Sequence, residues 1–195
     1  GNRSQGRVVS GFAEGLSGVY QAASRALKPG GPFAFTYHHN KLDSYAAVVV
    51  ACLDSGLVPI TTLPCPSEMR GSVHISKSNS SRVDTVFVLR KPPVAIPDVA
   101  SEPIEALVEA QAQHLLAADL SVTDGDRRCL RYGLIAEAAM RLLGVDWDKN
   151  IPIDERLDLT AATLRKLDSA PGAEGRSDGE SAERSEDQGT VERAA

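Results

Sequence analysis

Tyr37-His38-His39-Asn40 is a dense run of side chains able to do chemistry. A second concentration lies between residues 64 and 83: Ser67, Glu68, Arg70, His74, Ser76, Lys77, Asn79 and Arg82. Arg70, Lys77 and Arg82 against Glu68 leave that stretch at +2, which suits a flap that touches phosphate. Its plainer reading is a solvated loop in which Ser and Asn make turns. Two other chemistries fit poorly. His38, His39, Cys65, Glu68 and His74 are zinc-ligand types, but no pair has a familiar zinc spacing, so no metal is expected. Cys65 or Ser67 as a nucleophile has neither an elbow-type glycine frame nor an evident orienting acid, so no catalytic residue is assigned.

The flanking elements decide whether these residues meet. Phe12, Leu16, Val19, Tyr20, Ala23 and Leu27 recur at helical spacing, and Lys28-Pro29-Gly30-Gly31 must stop that helix. Pro32–Tyr37 reads as a short strand buried on both faces. A helix is expected from about Leu42 to Ser55, on Leu42, Ala46, Val49, Val50 and Leu53, with Gly56 just past its end. Leu57–Leu63 and Asp84–Arg90 read as two further strands. The 20 residues between them exceed a hairpin loop, and loops of that length are often functional. A strand–helix–strand unit makes a parallel crossover, so its two strands end at one edge of the sheet. Open α/β sheets bind ligands at that edge. Topology alone therefore predicts that His38, His39 and Asn40 neighbour the start of the 64–83 loop.

Pro92, Pro93 and Pro97 read as a linker into an all-helical zone, residues 98–168. Ser101 is the expected cap of its first helix, with Pro103 in the first turn and Ile104, Leu107, Val108 and Leu115 as the stripe. Thr123 with Asp126 resembles a capping box ahead of Leu130, Leu134, Ile135, Ala138 and Leu142, with Gly144 at the end. A shorter helix from Asp154 carries Leu157, Ala161 and Leu164. These stripes are read as packing surface. Residues 169–195 hold a single Val and no aromatic, too little apolar surface to offset ordering, and are expected to be disordered. That tail carries seven acids against three bases and supplies most of the net charge of -5. The near-neutral remainder argues against nucleic-acid binding by bulk positive charge. No run approaches a membrane span, and three widely spaced cysteines suit a reduced, cytoplasmic protein.

Together these features resemble a family. An amphipathic helix, Leu27-Lys28-Pro29-Gly30-Gly31 and a strand look like the fifth-strand region of class I S-adenosylmethionine-dependent methyltransferases. Four further stretches, Phe35–Asn40, Pro64–Met69, Ser72–Ile75 and Val83–Val88, resemble the C-terminal part of adenine-specific DNA methylases, large prokaryotic proteins that begin with a domain of unknown function. The resemblance covers roughly residues 8–165. It implies an α/β fold: the C-terminal half of a Rossmann-like sheet, strands five to seven, with the seventh inserted between fifth and sixth and the last pair antiparallel. Residues 1–92 would form that half-domain, 98–168 a helical extension and 169–195 an acidic tail.

The resemblance also implies function. The parent protein would transfer methyl from S-adenosylmethionine to the exocyclic amine of adenine in DNA, with nucleic acid as its partner. Tyr37, His38, His39 and Asn40 would lie where the family places the target base, a ring stacking on it and Asn40 bonding its edge. Ser67, Glu68, Arg70, His74 and Lys77 would line the flap. The plainer reading has one His packed under a helix and the other capping it. The family's Asp/Asn-Pro-Pro-Tyr/Phe tetrapeptide and its glycine-rich cofactor turn are missing from these 195 residues. Gly1 is therefore expected to fall after both, leaving a fragment inactive by itself. The alternative is a non-catalytic α/β module for assembly or nucleic-acid contact. Titration calorimetry of this chain with S-adenosylmethionine should give no saturable binding, and micromolar affinity would contradict that division of the fold.

Overall fold

The structure is a computed structural model that describes residues 2–67, 81–95 and 102–170, residues 2–7 by backbone alone. Its elements are α1 (Asn2–Ala26), β1 (Pro32–Tyr37), a short 3-10 turn (Leu42–Ser44), α2 (Tyr45–Asp54), β2 (Val58–Pro66), β3 (Val83–Arg90), α3 (Ile104–Ala117), α4 (Asp124–Leu143) and α5 (Ile153–Asp168). The α/β class expected from the sequence is what forms. The three strands make one sheet in the order β1-β3-β2, with β3 antiparallel to both neighbours. β1 and β2 therefore run parallel to each other without touching.

α2 explains the packing around that sheet. Tyr-Ala-Ala-Val-Val-Val-Ala-Cys-Leu offers apolar side chains all round, and such a helix has to be enclosed. All ten of its residues are buried. The surrounding core draws Ala13 and Tyr20 from α1, Phe87 and Leu89 from β3, Ile135, Ala139 and Met140 from α4, and Leu157 and Leu164 from α5. The helices expected as an extension thus share a core with the strand-bearing part. At the end of α2, Asp54 is 6% exposed and accepts hydrogen bonds from Ser17 Oγ (2.8 Å), Trp147 Nε1 (3.0 Å) and the Arg156 guanidinium. Deleting one partner of an ion pair this enclosed typically costs about 3–5 kcal/mol.

Several local expectations need correction. Phe12 and Val19 are not core residues of α1, being 52% and 62% exposed. The buried side is Ala13, Ser17, Tyr20 and Ser24: the small Ala13 and Ser17 let α1 approach α2 and bring Ser17 to Asp54, while the Tyr20 ring packs on Phe33 and Phe35. β1 is not buried on both faces. Phe33, Phe35 and Tyr37 pack inward while Ala34 and Thr36 are exposed. The helical layers named above cover the face of Phe87 and Leu89, and the opposite face carries Leu63 at 49% exposure. α3 starts after Pro103, and Ser101 lies outside the described residues. In α4, Leu130, Leu134 and Ile135 are buried as expected, but Leu142 is 58% exposed and the buried stripe continues through Ala139 and Met140.

Two turns set the ends of the strands. Gly30 adopts φ +73, and its N–H reaches Lys91 O (2.9 Å) while Lys91 N–H reaches Gly31 O (3.0 Å). The Lys91 ammonium then caps α1 through Leu27 O (2.8 Å). On the other side α4 crosses β3 at Gly133. A Cβ there would lie 2.5 Å from Thr85 Cγ2 and 2.6 Å from Thr85 Oγ1, so only glycine permits the approach. Thr85 is a short, buried, β-branched residue of the central strand with no free end to swing aside. Gly133→Ala should cost about 1–3 kcal/mol of stability. Urea denaturation would show this as a lower midpoint with little change in slope, and an unchanged midpoint would mean that α4 is not seated this tightly.

Candidate functional site

The strand register fixes the geometry of the rim. Tyr37 of β1 and Pro64 of β2 both pair with Thr85 of β3, one on each side. The two strand ends are thus about 10 Å apart, two strand spacings. β2 continues to Cys65 and Pro66, opposite Asp84 and Val83. The Tyr-His-His-Asn turn and the start of the long loop therefore leave the sheet from one edge. The loop closes at its base through Ser67 N–H to Arg82 O (2.9 Å).

α4 forms the wall behind this edge. The Thr123–Asp126 capping box is present: Asp126 N–H donates to Thr123 Oγ1 (3.1 Å), and Asp126 Oδ2 accepts from Thr123 N–H (2.8 Å) and Oγ1 (2.7 Å). Its other oxygen, Oδ1, accepts from Ser81 Oγ (3.0 Å) and Arg82 N–H. One carboxylate thus starts a helix and clamps the returning end of the loop. It is fully buried. Burial alone would raise its pKa, but the hydrogen bonds from Thr123, Arg82 and Ser81 outweigh it and hold the carboxyl below its ordinary value.

One turn further along α4, Cys129 Sγ lies 3.2 Å from His38 Nδ1. Thr85 Oγ1 donates to Cys129 O (3.4 Å) and sits 3.7 Å from the sulfur. Cys129 is 2% exposed, and burial pushes its thiol pKa up, so it is a neutral thiol and not a ready nucleophile. The Tyr45 hydroxyl, fully enclosed, lies near that sulfur without good hydrogen-bond geometry. Burial also raises the pKa of the Tyr45 and Tyr37 phenols, which stay protonated.

The expected site residues separate into distinct roles. Tyr37 faces the core: its ring meets Tyr45 edge-on at 4.9 Å and its hydroxyl donates to Ser44 O (3.1 Å). His39 caps the turn into α2, its Nδ1 accepting from Lys41 N–H (3.0 Å), with Nε2 3.4 Å from Ser44 Oγ. His38 is half-buried against α4, and Asn40 is exposed. Ser67 is half-buried at the loop base. Glu68, Arg70, His74 and Lys77 lie outside the described residues. So the rim gathers His38, His39, Asn40 and Ser67, while Tyr37 turns away from it. Among the described residues, no group of three or more His, Cys, Asp or Glu side chains could hold a metal ion. No helix there is long and apolar enough to cross a membrane.

Sequence reasoning missed α4 as a wall of this site. Asp126 was legible as a cap, but its grip on Ser81 and Arg82 spans more than 40 residues. Cys129 carried no motif, and its partner His38 lies 91 residues away. Comparison with protein-family models, curated proteins and solved structures finds no match to this chain.

The lowered pKa of Asp126 makes its contribution pH-dependent. The ionised clamp contributes fully above the unfolded carboxylate value of about 3.9, and is lost as pH falls through the lower folded value. Asp126→Asn should therefore cost about 1.5–3 kcal/mol at neutral pH and progressively less in acid. Denaturant titrations of both proteins at neutral pH and well below the carboxylate range would test this. An equal gap at both pH values would mean that charge is not what clamps the loop.

Proposed function

We propose that this chain is the substrate-side, C-terminal portion of an adenine-specific DNA methyltransferase. In this reading the parent protein carries methyl from S-adenosylmethionine to the exocyclic amine of adenine. The observation that carries it is topological: β3 lies between β1 and β2 and antiparallel to both, the arrangement that the resemblance implies for strands five, seven and six. The shared rim of the His-His-Asn turn and the long loop supports the same reading, because that is where an extruded base would be held.

The role of each residue narrows accordingly. Tyr37 supports the turn from below and is not the stacking ring. His38 and Asn40 are the rim groups able to hydrogen-bond a base edge, and Asp126 sets the stem of the flap that would contact phosphate. In this reading the cofactor site and the amine-orienting tetrapeptide are supplied by another part of the parent protein. A second reading, an assembly module without chemistry, draws on the outward apolar stripe of α1, where Val8 is 72% exposed beside Phe12 and Val19.

The reading frame upstream of Gly1 should encode a glycine-rich turn and a Pro-Pro-aromatic tetrapeptide. Protein expressed from the whole frame should place tritiated methyl on adenine in DNA. His38→Ala should lower kcat/KM about 10-fold or more, as loss of a positioned hydrogen bond does. A start codon adjoining Gly1, or no label on adenine from the whole frame, rejects the methyltransferase reading.

A further inference from the structure

We propose that Cys129 is a positioning residue that locks the tautomer of His38, so that His38 offers an Nε2–H donor at the rim and any group it meets there must be an acceptor. The geometry allows two proton arrangements. Either the thiol donates to Nδ1, or Nδ1–H donates to sulfur while the thiol turns to Thr85. Two observations favour the first. His38 Nδ1 is 3.2 Å from the sulfur, while Thr85 Oγ1 is 3.7 Å from it and also within reach of Cys129 O at 3.4 Å. The imidazole lone pair is a strong acceptor, whereas thiol sulfur is a weak one. A thiol 2% exposed and kept neutral by burial retains its hydrogen to give.

With Nδ1 engaged as acceptor, a neutral imidazole carries its hydrogen on Nε2. That nitrogen has no hydrogen-bonding partner among the described residues, although the ring is half-buried at the strand end. A carbonyl oxygen or an unprotonated ring nitrogen would satisfy it, and an ammonium or amide N–H would not. The contact lies within the protein, so the inference goes beyond the methyltransferase reading and does not depend on it.

Two-bond proton–nitrogen correlation spectra of the uniformly nitrogen-15-labelled chain, at about pH 8.5 and thus above the ordinary imidazole range, read the tautomer directly. The His38 ring nitrogens should show the Nε2–H pattern at its full, unaveraged separation. In Cys129→Ala the lock is gone, and the two resonances should move toward each other as tautomers exchange. Cys129→Ser keeps a donor and should preserve the wild-type pattern. An Nδ1–H pattern in the wild-type chain overturns the proposal whether or not the variants fold. An Ala variant with the wild-type separation overturns it too, because the ring would then hold its tautomer unaided.

Discussion

The enclosure of α2 is the constraint on which the remaining structure depends. A ten-residue helix without an exposed face cannot rest on a sheet alone, because its far side would leave Val, Leu and Cys side chains in water. α1, α4 and α5 therefore close around it, and β3 supplies Phe87 and Leu89 from below. Asp54 is the one carboxylate among those buried residues. Its oxygens take hydrogen bonds from α1, from the segment that follows α4 and from α5, so the charge at the end of the apolar helix also ties together the elements around it. A buried ion pair of this kind adds little net stability over an apolar replacement, but it penalises arrangements that leave it unpaired.

Once α2 is enclosed, α4 has little choice of position. Gly133 lets it touch Thr85, and that contact carries its first turns to the carboxyl rim of the sheet. Asp126 then meets the loop base and Cys129 meets His38. The side chains that give the rim its character are thus held by packing far from it. The same geometry divides the rim into support and contact. Tyr37 and Tyr45 meet edge-on in the core below the turn, and Asn40 remains in solvent.

The described surfaces are uneven. The helices named above gather on one face of the sheet, while Ala34 and Thr36 of β1 and Leu63 of β2 stand on the other. Among the described residues β1 is an edge strand and carries no charged side chain, and edges of that kind invite pairing with another strand. α1 adds Val8, Phe12 and Val19 to the exposed apolar surface.

Local signals in the amino-acid sequence settled the elements and the shared rim. Lys-Pro-Gly-Gly ends one helix because proline and glycine act on their own backbone. A parallel crossover brings two strand ends to one edge whatever packs around them. The Thr123 cap was legible because its partner lies three residues away. Tertiary structure alone decided which sides of α1 and β1 are buried, since Phe12 and Val19 fit a helical stripe as well as Ala13 and Ser17 do. Only the approach to α2, with its need for small residues and a hydrogen bond to Asp54, selects between them. The pairing of His38 with Cys129 was also invisible in the sequence, because a contact across 91 residues depends on how two helices and a strand stack, and neither residue type announces its partner.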